Sequence, residues 1–202
     1  TGVSNSQVPG TTTSTEYGTS PWLGLQTAGI VDPAGLNLRT ETTYEAVGSG
    51  YFRRTSKNLP AAVATKTSPA TAGTTYAYYG DKEPYGAALG ITSPVCGLPV
   101  TTPQSGFPRK TTTPTPATGS AIETLAIYDL MGRVIGTKRT GDTDWSCTSY
   151  DLRGRPISTA VPASGGWPAR TNSYAYTSDG TYTGNPLESS VTDGSVTDSP
   201  TS

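Results

Sequence analysis

Residues 128–133 read Tyr-Asp-Leu-Met-Gly-Arg and residues 150–155 read Tyr-Asp-Leu-Arg-Gly-Arg, so Tyr, Asp, Gly and Arg recur together at an offset of 22 residues. A fixed period near 20 residues marks a chain built from repeated supersecondary units. Each shared letter has a local role. Asp at the first position of a tight turn accepts hydrogen bonds from backbone N–H groups two residues on, and Gly at the fourth tolerates the positive φ of a turn exit. Tyr128 and Tyr150 precede the turns, and Arg133 and Arg155 follow them on the neighbouring strand. Tyr and Arg of one motif are therefore expected to stack, a cation–π contact worth about 0.5–1 kcal/mol when partly exposed. The implied unit is strand, Asp-x-x-Gly turn, strand, then a wider turn.

The supply of core-forming side chains fits such units better than a thick interior. Of 202 residues, 33% are hydrophobic, with two Phe and one Met against twelve Tyr. Tyr, Val, Ile and Thr suit a pleated, half-buried surface, and the 24 Gly and 17 Pro predict many turns and few long helices. The 14 Lys and Arg nearly cancel the 15 Asp and Glu. Without a basic field, nucleic acid and anionic membrane surfaces are not expected partners. No run of 18 apolar residues occurs, so membrane insertion by a helix is not expected.

The sequence starts at Thr1 with its sole Met at 131 and shows no leader pattern, which predicts a mature product or a piece of something longer. There are no His residues, and the only cysteines are Cys96 and Cys147. That is too few ligands for a structural zinc site, and neither metal nor cofactor is expected. The two sulfurs are either free core thiols or a disulfide. Low charge and abundant Ser and Thr suit a secreted protein, where an even cysteine count favours a Cys96–Cys147 bridge. Closing a loop of about 50 residues, that bridge is worth about 4 kcal/mol in the chain-entropy picture.

Along the chain, residues 1–16 read as loop and 17–27 as a short strand or docking loop. Asp32–Gly35 is a turn, and Leu36–Tyr44 and Tyr51–Lys57 pair as a hairpin. Ala61–Ala72 is ambiguous, with a short helix as one outcome. Thr74–Tyr79 is a strand. Residues 80–118 form a Pro/Gly/Thr-rich insert with Cys96 in its middle, long enough to need tying down. Strands follow at Ala121–Asp129, Arg133–Thr140, Trp145–Tyr150, Pro156–Val161 and Arg170–Thr177, with a loose turn at Gly165–Pro168. Asp179-Gly180 and Asp193-Gly194 are hairpin signals. Three regions result: degenerate hairpins at 1–79, the insert at 80–118, and clear repeats at 119–202.

Tyr-Asp-x-x-Gly-Arg at this spacing resembles the YD-repeat, or Rhs, family of secreted bacterial proteins. The clear match covers residues 121–162, with weaker likeness over 25–60, where Glu45 follows Tyr44 and Gly48 keeps the turn, and over 170–198, where Tyr174 lacks a following Asp. The resemblance implies an all-β fold: antiparallel hairpins in an extended twisted sheet, part of a shell or stalk like those of insecticidal toxin complexes, polymorphic toxins and teneurins. It implies a non-catalytic extracellular or cell-surface scaffold that encloses or presents a toxin domain. The expected partners are further copies of the chain or the rest of a parent chain along β edges, a toxin cargo, or carbohydrate. The repeat residues Tyr128, Asp129, Gly132, Arg133, Tyr150, Asp151, Gly154 and Arg155 would serve the turns and clasps.

Three catalytic ideas weigh less. Asp32-Pro33-Ala34-Gly35-Leu36 shares letters with the family's self-cleavage motif but lacks its continuation and also reads as an ordinary turn. Asp129 and Asp151 could form a glycosidase pair, but their repeat position assigns them to turn capping. A Ser or Cys nucleophile has no His base. No catalytic residue is expected. A carbohydrate-binding, adhesin-like surface module is the alternative, with Trp22 and Trp167 as stacking platforms, Trp167 being the more exposed candidate in its Gly/Pro turn.

Overall fold

A computed structural model describes residues 12–19, 24–49, 51–60, 73–176, 187–193 and 196–198. The expectations for Ala61–Ala72, Asp179-Gly180 and Trp22 lie outside these residues. The described residues are all-β apart from one short helix, with thirteen strands whose hydrogen-bonded order is the chain order. Every strand pairing given by register is antiparallel, as short turns between alternating strands dictate. The chain divides into two compact units, Thr1–Tyr76 with Thr112–Ala121, and Ala77–Thr111 with Ile122–Ser202.

The first unit holds β1 (Thr13–Tyr17), β2 (Gln26–Val31), β3 (Leu38–Tyr44), β4 (Arg54–Asn58) and the start of β5 (Gly73–Tyr78). β1 falls within the stretch whose polarity reads as loop. It is a strand because Thr13–Glu16 find partners in Val31–Ala28 and because Glu16 forms a bidentate pair with Arg39 at 2.6 and 2.7 Å. The Asp32–Gly35 turn forms as expected. Asp32 takes φ 51°, and its Oδ2 accepts the Leu36 N–H at 2.8 Å.

The second unit carries a helix, α1 (Tyr85–Leu89), then β6 (Pro108–Thr112), β7 (Glu123–Tyr128), β8 (Val134–Arg139), β9 (Ser146–Tyr150), β10 (Pro156–Val161), β11 (Arg170–Ala175), β12 (Leu187–Asp193) and β13 (Val196–Asp198). Its core is Tyr79, Tyr85, Val95, Ile127, Tyr128 and Ile135, with Leu89, Leu98, Phe107 and Trp145 packed around it. Residues 80–107, the greater part of the insert, thus supply Tyr85 and Val95 of the core and Leu89, Leu98 and Phe107 around it, covering β7 and β8. Cys96 and Cys147 are disulfide-bonded, Cα–Cα 5.3 Å, which fastens this segment to β9. Gly136 on β8 makes the approach possible: a Cβ there would lie 2.7 Å from Ile127 Cγ1 and 3.0 Å from Cys96 Sγ. At the opposite end of the hairpins, Gly165 and Gly166 both have positive φ (57° and 85°) between reciprocal Ser164–Trp167 backbone bonds. That is a tight primed turn and not the loose one the sequence implies.

Candidate functional site

The two Tyr-Asp-x-x-Gly-Arg motifs close the β7–β8 and β9–β10 hairpins in the same way. Asp129 Oδ1 accepts the N–H of Met131 and of Arg133, both at 2.9 Å, and Oδ2 accepts Arg133 Nε at 2.7 Å. Asp151 repeats this with Arg153 at 2.9 Å, Arg155 N–H at 2.8 Å and Arg155 Nε at 2.7 Å. Gly132 and Gly154 stand at φ 78° and 82°, the left-handed conformation that turn exits require. The residues between Asp and Gly touch little: Leu130, Met131 and Leu152 are exposed.

The carboxylates are held ionised. At Asp129, partial burial works against the charge, but the Arg133 and Met131 N–H groups and the Arg133 guanidinium outweigh it, leaving the carboxyl below its usual range. At Asp151 the Arg155 backbone N–H leads, joined by its guanidinium, with the same outcome. Each acid is occupied by the arginine of its own turn.

The stacking partner differs from the sequence expectation. Arg133 does not cover Tyr128; its guanidinium lies 4.5 Å from the ring of Tyr150, in the next motif. Arg155 lies 3.9 Å from the ring of Tyr176, not Tyr174. The reason is geometric. Asp already holds the guanidinium on the turn, and from there the neighbouring face is that of the following hairpin. The motif is therefore a link between units. Tyr hydroxyls reinforce it. Tyr44 donates to Gln26 O at 2.7 Å, Tyr150 to Val134 O at 3.1 Å, and Tyr176 to Pro156 O at 2.5 Å. Each acceptor is the residue opposite the preceding turn's tyrosine, since Gln26 pairs with Tyr17, Val134 with Tyr128 and Pro156 with Tyr150.

The same frame exposes units that the letters conceal. A backbone bond from the residue after the tyrosine to the residue at the arginine position closes five turns: Gly18 to Leu25, Glu45 to Arg53, Tyr79 to Phe107, Asp129 to Arg133 and Asp151 to Arg155, at 2.9–3.0 Å. Ladder register slips at Tyr17, Tyr44, Tyr128 and Tyr174, and opposite Tyr150, so a β-bulge accompanies the motif. At Tyr44, a longer turn needs the longer acid. Glu45 pairs with Arg53 at 2.6 Å and caps its N–H at 3.0 Å, and the side-chain bond to Arg53 lowers its pKa. Arg54 then takes the stacking role on Tyr76, 4.3 Å from the ring.

The unit at Tyr79 accounts for most of the insert. Residues 80–106 occupy the place of the Asp-x-x-Gly turn between Tyr79 and Phe107. Phe107, at the arginine position, stacks on Tyr128 with centroids 4.6 Å apart. Buried Gln104 holds both the N–H and the C=O of Tyr128, at 2.7 and 3.0 Å, as a strand would. Tyr79 donates to Ala126 O at 2.7 Å. Sequence reasoning misses this unit because Tyr79 and Phe107 stand where the motif has its acid and its arginine; the trace it leaves is Tyr78-Tyr79 before and Phe107-Pro108 after.

Trp167 is 74% exposed at the tip of its turn, beside Thr143, whose hydroxyl donates to Ala163 O at 2.8 Å. Among the described residues no cluster of acids and cysteines could hold a metal, and no helix is long and apolar enough to cross a membrane. No protein-family model matches the chain, and no curated protein matches it.

Proposed function

We propose that the chain is a non-catalytic scaffold of YD-repeat type, a segment of a secreted shell or stalk whose hairpins are tied in series and whose turns display or enclose a partner. The observation that carries this is the direction of the clasp at the two Tyr-Asp-x-x-Gly-Arg motifs: Arg133 and Arg155 join tyrosines of the following hairpin instead of closing their own. Side chains spent on unit-to-unit links serve an extended assembly. The carboxylates that could serve hydrolysis are each engaged by their own arginine. The disulfide fits an oxidising compartment outside the cytosol.

The test combines mechanics with chemistry. Arg133→Ala and Arg155→Ala should loosen the linkage between hairpins, seen as faster amide exchange in β9 and β10. The wild-type chain should release no reducing sugar from a polysaccharide panel. Hydrolysis abolished by Asp129→Asn or Asp151→Asn would sink the scaffold function. A second function, sugar stacking, is favoured by one observation, the exposed Trp167 indole on a rigid turn. Glycan binding lost in Trp167→Ala would establish it.

A further inference from the structure

The expanded turn of the second unit is fastened at its root and at its tip by different means. At the root, Gln104 bonds both backbone groups of Tyr128, Phe107 stacks on the Tyr128 ring, and Arg109 on β6 donates to Ala88 O at 3.2 Å. Residues 91–100 form the tip. Among the described residues, the hydrogen bonds of their backbone and hydroxyl groups all end inside the insert. Ile91 N–H donates to Gly86 O, Val95 N–H to the Tyr85 hydroxyl, and that hydroxyl to Leu98 O at 2.6 Å. Toward the sheet the tip has apolar packing around Val95 and one covalent tie, the Cys96–Cys147 bridge.

Cys96 and Gly97 form a tight turn between Val95 and Leu98, with φ 52° and 76°, closed by the Leu98 N–H on Val95 O at 2.9 Å. Both central residues of such a primed turn take positive φ, which suits Asn or Gly and not cysteine. What holds Cys96 there is its bond to β9, and its sulfur is seated over Gly136, where a Cβ would come within 3.0 Å of it. The flanking residues, Val95 and Leu98, are the two that the buried Tyr85 hydroxyl ties together. Releasing Cys96 lets its φ relax, shifts both neighbours and loosens the tyrosine. We infer that Cys96–Cys147 is a reducible latch, a site at which a small thiol of glutathione type opens the tip of the insert and leaves its root and the sheet in place. The thiolate attacks one sulfur, the S–S bond breaks, and the electron pair leaves on the other sulfur, which takes up the proton the attacking thiol gave to water. A second thiol attacks the mixed disulfide, so two small thiols end as one disulfide and the protein gains two thiols. Both cysteines are half-buried, within reach of a small molecule. With no third cysteine to exchange with, the same pair re-forms on oxidation. Histidine is absent too, so reduction is the chemistry that addresses the tip near neutral pH.

The latch concerns the chain's own two cysteines and stands apart from what the hairpin turns display. The test is amide exchange by NMR on the full chain, in millimolar reduced glutathione and in oxidised glutathione, with free thiols counted by alkylation and mass. On reduction, exchange at Val95 and Leu98 should rise about tenfold or more, while Phe107, Tyr128 and β9–β11 change by less than about twofold, and reoxidation should restore the slow rates. Cys147→Ser should be open without reductant and indifferent to glutathione. Adding Cys96→Asn to that variant should slow exchange at Leu98 again, because Asn accepts the positive φ that the bridge no longer imposes. Three results in the wild-type chain would each overturn the latch: a bridge that resists glutathione under native conditions, unchanged exchange at Val95 and Leu98 in fully reduced protein, or exchange rising equally through β9–β11. The last would make the bridge a staple for the whole unit, as would a Cys147→Ser chain that loses its sheet. Slow exchange at Leu98 in Cys147→Ser itself would show that apolar packing alone keeps the tip closed, and would also overturn it.

Discussion

At Gly132 two constraints meet that are separate elsewhere. Its φ is 78°, and a Cβ there would lie 2.9 Å from Phe107 Cζ. Gly154 shares the conformation (φ 82°), but its added Cβ would meet only the tip of Arg133 at 3.3 Å, which can swing aside. Gly132→Ala should therefore cost about 2–3 kcal/mol and Gly154→Ala about 1 kcal/mol. Urea melts of the two variants check the order, and equal losses would mean that Phe107 yields freely. Asp129 has a comparable part. Removing it leaves two N–H groups and a guanidinium without their acceptor, so Asp129→Ala should cost about 1–3 kcal/mol, with Asp129→Asn in between. The roles of Asp and Gly were legible in the letters, because turn chemistry is local. The second constraint on Gly132 was not, since Phe107 reaches it only through the fold.

Hairpins, at the scale of the element, are joined by contacts that alternate in partner: acid to arginine within a turn, arginine to tyrosine between turns. A double-mutant cycle resolves the two. Arg133→Ala and Tyr150→Leu should couple by about 0.5–1 kcal/mol, while Arg133→Ala and Tyr128→Leu should be additive to within the error of the cycle. Coupling to Tyr128 in place of Tyr150 would restore the stacking implied by sequence. Strand positions from Glu123 to Ala175 were legible because alternation and turn signals agree there. β1 was missed because Thr-Ser-Thr-Glu is as polar as a loop, and only the Glu16–Arg39 pair and the partner strand make it extended. The arginine's destination was missed for a related reason. Spacing states which residues recur, but which neighbouring hairpin a side chain faces depends on the bulge at each tyrosine and on the acid that anchors the guanidinium.

The whole molecule shows how one frame absorbs very different turns. The five residues Asp129–Arg133, the nine residues Glu45–Arg53 and the entire run from Tyr79 to Phe107 end in the same backbone bond. The insert is therefore a turn expanded until it carries its own core, which composition could not reveal because the segment reads as Pro- and Gly-rich loop. Two groups of side chains, the arginine-clasped acids and the buried tyrosines, set how stability responds to pH. Asp129, Asp151, Glu16 and Glu45 have folded pKa values below their ordinary ones. Their contribution is complete above the ordinary carboxylate value, near 4, and is lost as pH falls through the depressed folded values. Tyr79 and Tyr128 are shifted upward, by burial first. Their contribution is complete below the ordinary phenol value, near 10, and is lost as pH rises beyond it. Between these limbs the chain has no histidine, and both cysteines are bridged. Since histidine and thiol are the side chains that titrate there, the urea midpoint should be flat from about pH 5 to 9 and fall on both sides. Tyr79→Phe should delay the alkaline fall, at the cost of the bond to Ala126 O. A step in stability near pH 6–7 would contradict this account, because no side chain of the protein would then explain it.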